Sequence, residues 1–333
     1  MNAKKYTPLL SIIIPTLNNE RDMPVLMKSI SAQTYPKNRI ELLVLDGGSN
    51  DKTTQIAKKY GAKVFHNKDV MAEPGVNLGM EKAKGDLMMI LAVDNIYEDK
   101  GAFEKIVSVF EDPTIFAAFP KHDSNKNDNL FTTYHNTFTD PFNHFVYGDS
   151  ANGRTFSRVY KTITSNDIYD VYDYNSNPMP PMIAFAQGIT VRGSYRRSKQ
   201  DAFDDISPII KLIKSKKKIA FVHSVSLMHH TTRDIHHFIR KQRWATHNAI
   251  SKTDYGISYR TNFIPKKNQT RMKLWPVYAF SIIGPLAVSL FGLIRDKNMI
   301  WLFHPIAALV SAYASAVEIL VYTVKKQSRI SRQ

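Results

Sequence analysis

Between Leu9 and Ala92 four apolar runs alternate with stretches of helical spacing, and that alternation restricts the fold more than any other feature. "LLSIII" (9–14), "IELLVL" (40–45), "AKVFH" (62–66) and 87–92 read as strands. Continuous apolar runs of this kind suit strands covered on both faces. Residues 22–33 put Met23, Leu26, Met27 and Ile30 on one helical face. Asn50 or Asp51 can cap a helix that runs to Tyr60, and 75–83 reads as another. Strand–helix alternation predicts an α/β fold with a Rossmann-like, mainly parallel sheet and right-handed crossovers. Such sheets bind ligands beyond the C-terminal ends of their strands. Asp46 and Asp94 both stand at such ends.

The rhythm stops at residues 121–182, which are rich in Asn, Asp, Tyr and Phe. Aromatic residues at 131, 134, 138, 142, 145, 147, 156 and 160 suit either an acceptor-binding or membrane-facing insertion, or ordinary packing. Regular signals return at 183–191, at 206–217 as a helix, at 218–230 as a strand and its exit, and at 234–249 as a helix.

Trp275–Ile294 carries no charge, and Met299–Val324 carries only Glu318. About 20 helical residues cross a hydrocarbon layer roughly 30 Å thick. Only Arg295-Asp296-Lys297-Asn298 separates the two stretches, so they read as a hairpin of two transmembrane helices. Lys266, Lys267, Arg271 and Lys273 precede it, and Lys325, Lys326, Arg329 and Arg332 follow it. That flanking charge places both ends and the preceding domain in the cytoplasm. Glu318 is costly against lipid, so it is expected to pair or to lie near an interface. The net charge of +16 fits a polyanionic partner. No DNA- or RNA-binding motif accompanies it, and nucleic acid is not an expected partner. The absence of cysteine excludes disulfides and thiolate chemistry.

Two carboxylates at neighbouring strand ends suit a nucleotide and its metal. One can accept from a base N–H; the other can ligate Mg²⁺ or Mn²⁺, hard ions that bridge diphosphates. A third carboxylate is needed where an acceptor hydroxyl must lose its proton. Asp204-Asp205, just before the 206–217 helix, supplies it, and the helix N-terminus favours its ionised form. A strand-end Asp standing alone is more commonly a turn or capping residue.

Three segments together carry a family resemblance: "SIIIPTLNNERDMPVLMKSISAQTYPKNRIELLVLDGGSNDKT", "AEPGVNLGMEKAKGDLMMILAVDN" and "FDDISPIIKLIKSKKKIAFV". They resemble the family 2, GT-A-fold inverting glycosyltransferases over roughly residues 9–120 and 183–250. The resemblance implies that Pro15, Thr16, Asn18 and Glu20 line the base and ribose, that Asp46 with Gly47 meets the base edge, and that Asp94 ligates the metal. Asp205, and with it Asp204, matches the family's acidic pair, with Asp205 as general base. His230 or His229 completes the metal or diphosphate site, and Asn95 neighbours it. "RKQRW" is similar to the family's QxxRW apart from its spacing, which brings in Arg243 and Trp244. Two departures stand out. Ala92 replaces the first Asp of the family's DxD, and Val76 replaces an Arg that faces the diphosphate. Lys82, Lys84 or the 196–199 basic cluster can compensate for the latter.

The expected architecture is then a GT-A nucleotide-diphospho-sugar transferase domain over 1–250, with a nucleotide-binding half (9–120), an acceptor or insertion region (121–182) and a catalytic-base segment (183–250). A basic linker (251–274), two transmembrane helices (275–324) and a basic tail (325–333) follow. The resemblance implies a membrane-anchored enzyme that moves a sugar from a nucleotide-diphosphate donor, UDP-linked before GDP-linked, to a hydroxyl of a lipid-linked or membrane-proximal acceptor. A polyprenyl-phosphate acceptor and a non-catalytic scaffold with a degenerate site are the alternatives.

Overall fold

The computed structural model describes residues 6–198, 204–251 and 260–330. These fall into two compact units: one holds the residues up to Asp123 with Gly153–His229, the other Ser124–Asn152 with the residues from His230 onward.

The first unit is built on a sheet. Strands β1 (Leu10–Thr16), β2 (Ile40–Asp46), β3 (Lys63–His66) and β4 (Leu87–Ile90) run parallel in the order β3-β2-β1-β4. Helices α1 (Met23–Ser31), α2 (Thr53–Lys59) and α3 (Ala72–Lys82) connect them. Both faces are covered, and the strand residues divide by parity. Ile12, Ile14 and Val44 pack with Met23, Leu26 and Ile30 of α1, whereas Ile13, Leu43 and Leu45 pack with Val76 and Met80 of α3. Gly79 permits the close approach of α3, because a Cβ there would collide with Ile13.

Beyond β4 and the two-residue β5 (Asn95–Ile96), helix α4 (Ala102–Ser108) leads to β6 (Ile115–Asp123). The sheet here is mixed rather than mainly parallel. After the second unit's first segment the chain returns through β7 (Lys161–Ser165) and β8 (Asp170–Asp173) to β9 (Thr190–Arg192). β9 lies antiparallel between β4 and β6. It enters the sheet from the edge that β4 leaves, which reverses its direction. Helix α7 (Ser207–Lys214) and the long β10 (Lys218–His229) complete the unit. β10 is parallel to β6, so β1, β2, β4, β6 and β10 all end at one edge.

The second unit is helical: α5 (Leu130–Phe138), α6 (Pro141–Tyr147), α8 (Ile235–Ser251), α9 (Lys266–Phe280), α10 (Ile283–Asp296) and α11 (His304–Ile330). The aromatic residues of 131–145 pack here. Phe138 stacks on Trp301, Phe145 on Tyr278 and Phe131 on Phe238. Phe156 and Tyr160 belong to the sheet unit's core.

The 275–294 stretch is not one helix. α9 and α10 meet at 95°, with Ile282 at φ 60° between them. Pro285 has no N–H to continue the ladder and Gly284 precedes it, which accounts for the break. Among the described residues Met299–Lys325 is the one unbroken stretch long and apolar enough to cross a bilayer by length and composition, and the bent α9–α10 pair passes only when both helices are taken as one broken span. Glu318 pairs, as its cost in lipid demands: Arg243 Nε donates to Oε2 at 2.9 Å, and His247 Nδ1 lies 3.0 Å from Oε1. Glu318→Ala is expected to lower stability by about 1–3 kcal/mol. The shift will be read as a lower urea midpoint, and Glu318→Gln will lose less.

Candidate active site

The loops leaving β1 and β2 are bonded to each other by the signature residues. Asn18 takes φ 52°, a left-handed conformation that Asn tolerates. Its N–H donates to Ser49 Oγ at 2.8 Å, and its Oδ1 accepts from Asn50 N at 3.0 Å. Asn19 N donates to Thr53 Oγ1, Glu20 N to Asp51 Oδ2, and Lys52 N to Glu20 Oε2. Thr16 pairs with Asp46 across the two strand ends, and Gly47 N donates to Thr16 O. Pro15 precedes them in β1.

Asp46 is buried and shapes the turn after β2. Its carboxylate accepts from Gly48 N, Ser49 N and Ser49 Oγ. Gly47 has no room for a side chain: a Cβ would come within 2.8 Å of Val70 O. The 67–71 loop is thereby held close over the end of β2, and Val70 sits at φ 65°, a strained angle for a β-branched residue.

Asp94 lies in the turn after β4. Asn95, fully buried, holds that turn: its Oδ1 accepts from Ala92 N at 3.1 Å and its Nδ2 donates to Asp94 Oδ1 at 3.3 Å. The β5–β10 register sets His229 opposite Asn95. His229 Nε2 stands 3.7 Å from Asp94 Oδ2. His122, at the end of β6, meets the His229 ring edge-on at 5.5 Å. His229, not His230, is therefore the histidine beside Asp94. Successive residues of a strand face opposite ways, and His230 belongs to the second unit, where Nδ1 lies 2.7 Å from Asp128 Oδ1.

Asp94 and His229 fit a divalent ion as a pair. A cation bonded to both at roughly 2.1 Å spans up to about 4 Å between donors. Among the described residues no group of three or more His, Asp or Glu side chains could hold a metal. Two donors leave the other positions of an octahedral ion to waters or a ligand.

The two acids before α7 differ. Asp204 is buried and caps the helix, its Oδ2 accepting from Ser207 N at 2.7 Å, while its main-chain O accepts from Arg197. That geometry commits Asp204 Oδ2 to the first N–H of α7. Asp205 is half-buried, and its main-chain O accepts from Phe185 N at 2.7 Å. Phe185 lies in the segment that enters β9 from the edge where β1, β2 and β4 end.

Glu73, in the first turn of α3, has the sequence signature of an ordinary N-terminal acid. Burial pushes its carboxyl above the usual 4.5, and the charge of Asp205 pushes it further, against Arg197. The ionised form is thus the one the fold disfavours, so Glu73 contributes less stability as pH rises through its raised value. Glu73→Gln is expected to match the parent below about pH 4.5 and to become the more stable of the two as pH rises. Urea midpoints between pH 4 and pH 8 will check it. A cavity of about 700 Å³ opens beside this helix, lined by Asn67, Asp69, Pro74, Asn77 and Arg197 among others.

Several expected residues are elsewhere. Lys84 and Lys82 lie near the N-terminal ends of the strands. Lys84 N donates to Glu41 Oε2 there, across the sheet from the loops after β1 and β2. Lys84 is therefore not brought to the edge where β1 and β2 end. Arg243, in the second unit, is engaged by Glu318, and Trp244 is 61% exposed. Lys199 of the basic cluster lies outside the described residues.

Residues 11–175 match the family model described as Glycosyl transferase family 2. An uncharacterised glycosyltransferase of Rickettsia typhi is 39% identical over 99 residues, covering 29% of this chain and 30% of that protein. The 4,4'-diaponeurosporenoate glycosyltransferase of Staphylococcus haemolyticus is 32% identical over 111 residues, covering 31% of this chain and 29% of that protein. The chain thus matches under a third of the length of these relatives. In structure it is similar to a mannosyltransferase from Pyrobaculum calidifontis, solved with GDP-Man and Mn²⁺. The TM-score is 0.55 at 14% identity, over 95% of this chain and 88% of the other. That likeness extends the shared fold beyond the matched segment. The likeness to the glycosyl transferase family 2 model is thus carried by residues 11–175, and that to the solved mannosyltransferase is one of fold.

Proposed function

We propose that the chain is an inverting glycosyltransferase that moves a sugar from a nucleotide-diphosphate donor to a hydroxyl of a membrane-proximal or lipid-linked acceptor. The observation that carries the reading is the pairing of Asp94 with His229 at the sheet edge where the β1 and β2 loops also end. In this reading Thr16, Asn18, Glu20 and Asp46 order the loops that hold the base and ribose. Their hydrogen bonds to one another keep the pocket's shape fixed before the donor arrives. Mg²⁺ or Mn²⁺ held by Asp94 with His229 supplies charge neutralisation for the departing diphosphate. The mannosyltransferase of similar fold, solved with Mn²⁺, supports a metal here.

Asp205 takes the proton of the acceptor hydroxyl. The oxygen then bonds to the anomeric carbon from the face opposite the diphosphate, the bond to the diphosphate breaks, and the configuration inverts. Asp204 holds Asp205 at the α7 N-terminus through its cap. UDP-sugars are the first donors to examine and GDP-sugars the second.

Ala92 favours one other reading, a non-catalytic scaffold that retains the pocket without turnover. Radiolabelled UDP- and GDP-sugars, incubated with the full chain, Mn²⁺ and a membrane lipid extract, separate the two. Label entering the organic phase supports the transferase. Nucleotide binding without transfer or sugar release for any donor supports the scaffold.

A further inference from the structure

The C-terminal helices are built inside out. In α10 the fully buried residues are small, Pro285, Ser289 and Gly292, with Gly292 against the Trp301 ring, and only Val288 and Leu293 pack partly beside them. The outward stripe at helical spacing is Ile283, Leu286, Leu290, Phe291 and Ile294, with Ile283 and Ile294 each 78% exposed. An apolar stripe of this size, in a chain with a strongly basic flank, marks a surface that water does not cover in use.

α10 by itself does not have the reach to cross a bilayer. α10 has 14 residues, so it is about 21 Å long against roughly 30 Å of hydrocarbon. α11 is long enough, but one face of its C-terminal half, through Ser315, Glu318 and Tyr322, is taken by a polar neighbour, while Leu320 and Val324 stay exposed. Glu318 pairs with Arg243 and His247, Ser315 with Thr246, and Tyr322 meets the His247 ring. These partners all lie on α8, which also carries His236, His237, Arg240 and Lys241. Such a helix does not enter hydrocarbon. The part of α11 before those contacts, His304 to Ala314, is about 16 Å long, and a 3-10 turn, Met299–Phe303, precedes it. Within that stretch Trp301 and His304 are held by Phe138 and Tyr134 of α5.

The turn between α10 and α11 points the same way. In a transmembrane hairpin it would lie across the bilayer. Here Arg295 Nη1 donates to Asp149 Oδ2 at 3.1 Å, and Trp301 Nε1 donates to Asp296 Oδ2 at 2.8 Å. Asp149 follows α6 in the 124–152 segment, whose helices have 9 and 7 residues. Neither could carry Asp149 across a membrane.

We infer that the second unit is a monotopic membrane module: its α10 stripe sinks into one leaflet of an anionic bilayer, and no helix crosses. The exposed Lys266, Lys267, Arg271 and Lys273 of α9, with Lys297 after α10, supply the charge that anionic head groups attract. The inference is independent of the transferase reading, since it concerns only the helices of this unit.

The chain has no cysteine, so single replacements report topology directly. Lys297→Cys, in the α10–α11 turn, and Lys59→Cys, on α2, are labelled with a membrane-impermeant maleimide in inside-out vesicles and in intact spheroplasts. Both are expected to react in the inside-out vesicles and neither in spheroplasts. Reaction of Lys297→Cys only in spheroplasts, or only after detergent, overturns the inference. The full chain should also float with phosphatidylglycerol vesicles and much less with phosphatidylcholine alone. Ile283→Glu with Phe291→Glu should cut flotation at least ten-fold, while Val25→Glu, an exposed apolar site on α1, should not. A chain that forms dimers in buffer and does not float would assign the stripe to a second copy and overturn the membrane reading.

Discussion

Asp205→Asn is expected to lower kcat by about 10²–10⁴-fold, the usual contribution of a positioned general base. Asn preserves the size of the side chain and leaves the Phe185 N–H bonded to the same main-chain oxygen, so the fold around it should hold. Only the capacity to accept a proton is removed. Nucleotide affinity should stay close to that of the parent, because the base acts on the acceptor. The neighbouring acid provides the contrast. Asp204→Asn weakens the cap on Ser207 N and should cost stability, about 0.5–1 kcal/mol, with most of the rate retained. Steady-state kinetics on both variants, with urea midpoints alongside, will separate the roles. Equal rate losses in the two would remove Asp205 from the position of base.

Asp94→Ala should lower kcat/KM by on the order of 10²–10³-fold, comparable to losing one preorganised group that stabilises departing charge. The loss should appear in metal dependence first. With Asp94 gone, His229 is the remaining member of the pair, and added Mn²⁺ should no longer strengthen nucleotide binding. Ala92 sharpens this expectation. The other carboxylate of the family's motif is already missing, so no second strand-end acid two residues away can take over. His229→Ala should fall between the parent and Asp94→Ala. His230→Ala should leave metal dependence intact, because its imidazole is bonded to Asp128.

The first four strands and three helices were legible because each carries its own short-range signal. Ile12 and Ile13 both face a core, so the strand reads as a continuous apolar run, and Met23, Leu26, Met27 and Ile30 recur at helical spacing. The direction of β9 was not legible. Thr190-Val191-Arg192 is three residues long, and its orientation depends on where the 121–182 excursion brings the chain back. The aromatic residues of that excursion were visible, but their partners Trp275, Tyr278 and Trp301 lie more than a hundred residues away. Hydropathy alone made 275–294 one span. The break at Ile282 follows from backbone geometry next to Gly284-Pro285, which a count of apolar residues does not register.

The family pattern pointed to Asp46, Asp94 and Asp205, which have different surroundings in the structure. Adjacent residues were harder to separate by sequence. His229 and His230, like Asp204 and Asp205, are chemically alike, and only strand register and helix capping tell them apart. Lys84 was offered for its charge, but the end of the sheet it occupies is set by its place between α3 and β4.

The central claim is a nucleotide-diphosphate site that depends on Asp94 and a divalent ion. Calorimetric titration of the detergent-solubilised full chain with UDP and with GDP, each with and without Mn²⁺, beside Asp94→Ala, tests it most directly. The parent should bind one nucleotide in a metal-dependent way, and the variant should lose that binding. Failure of a folded parent to bind either nucleotide, or metal-dependent binding undiminished in Asp94→Ala, would contradict it.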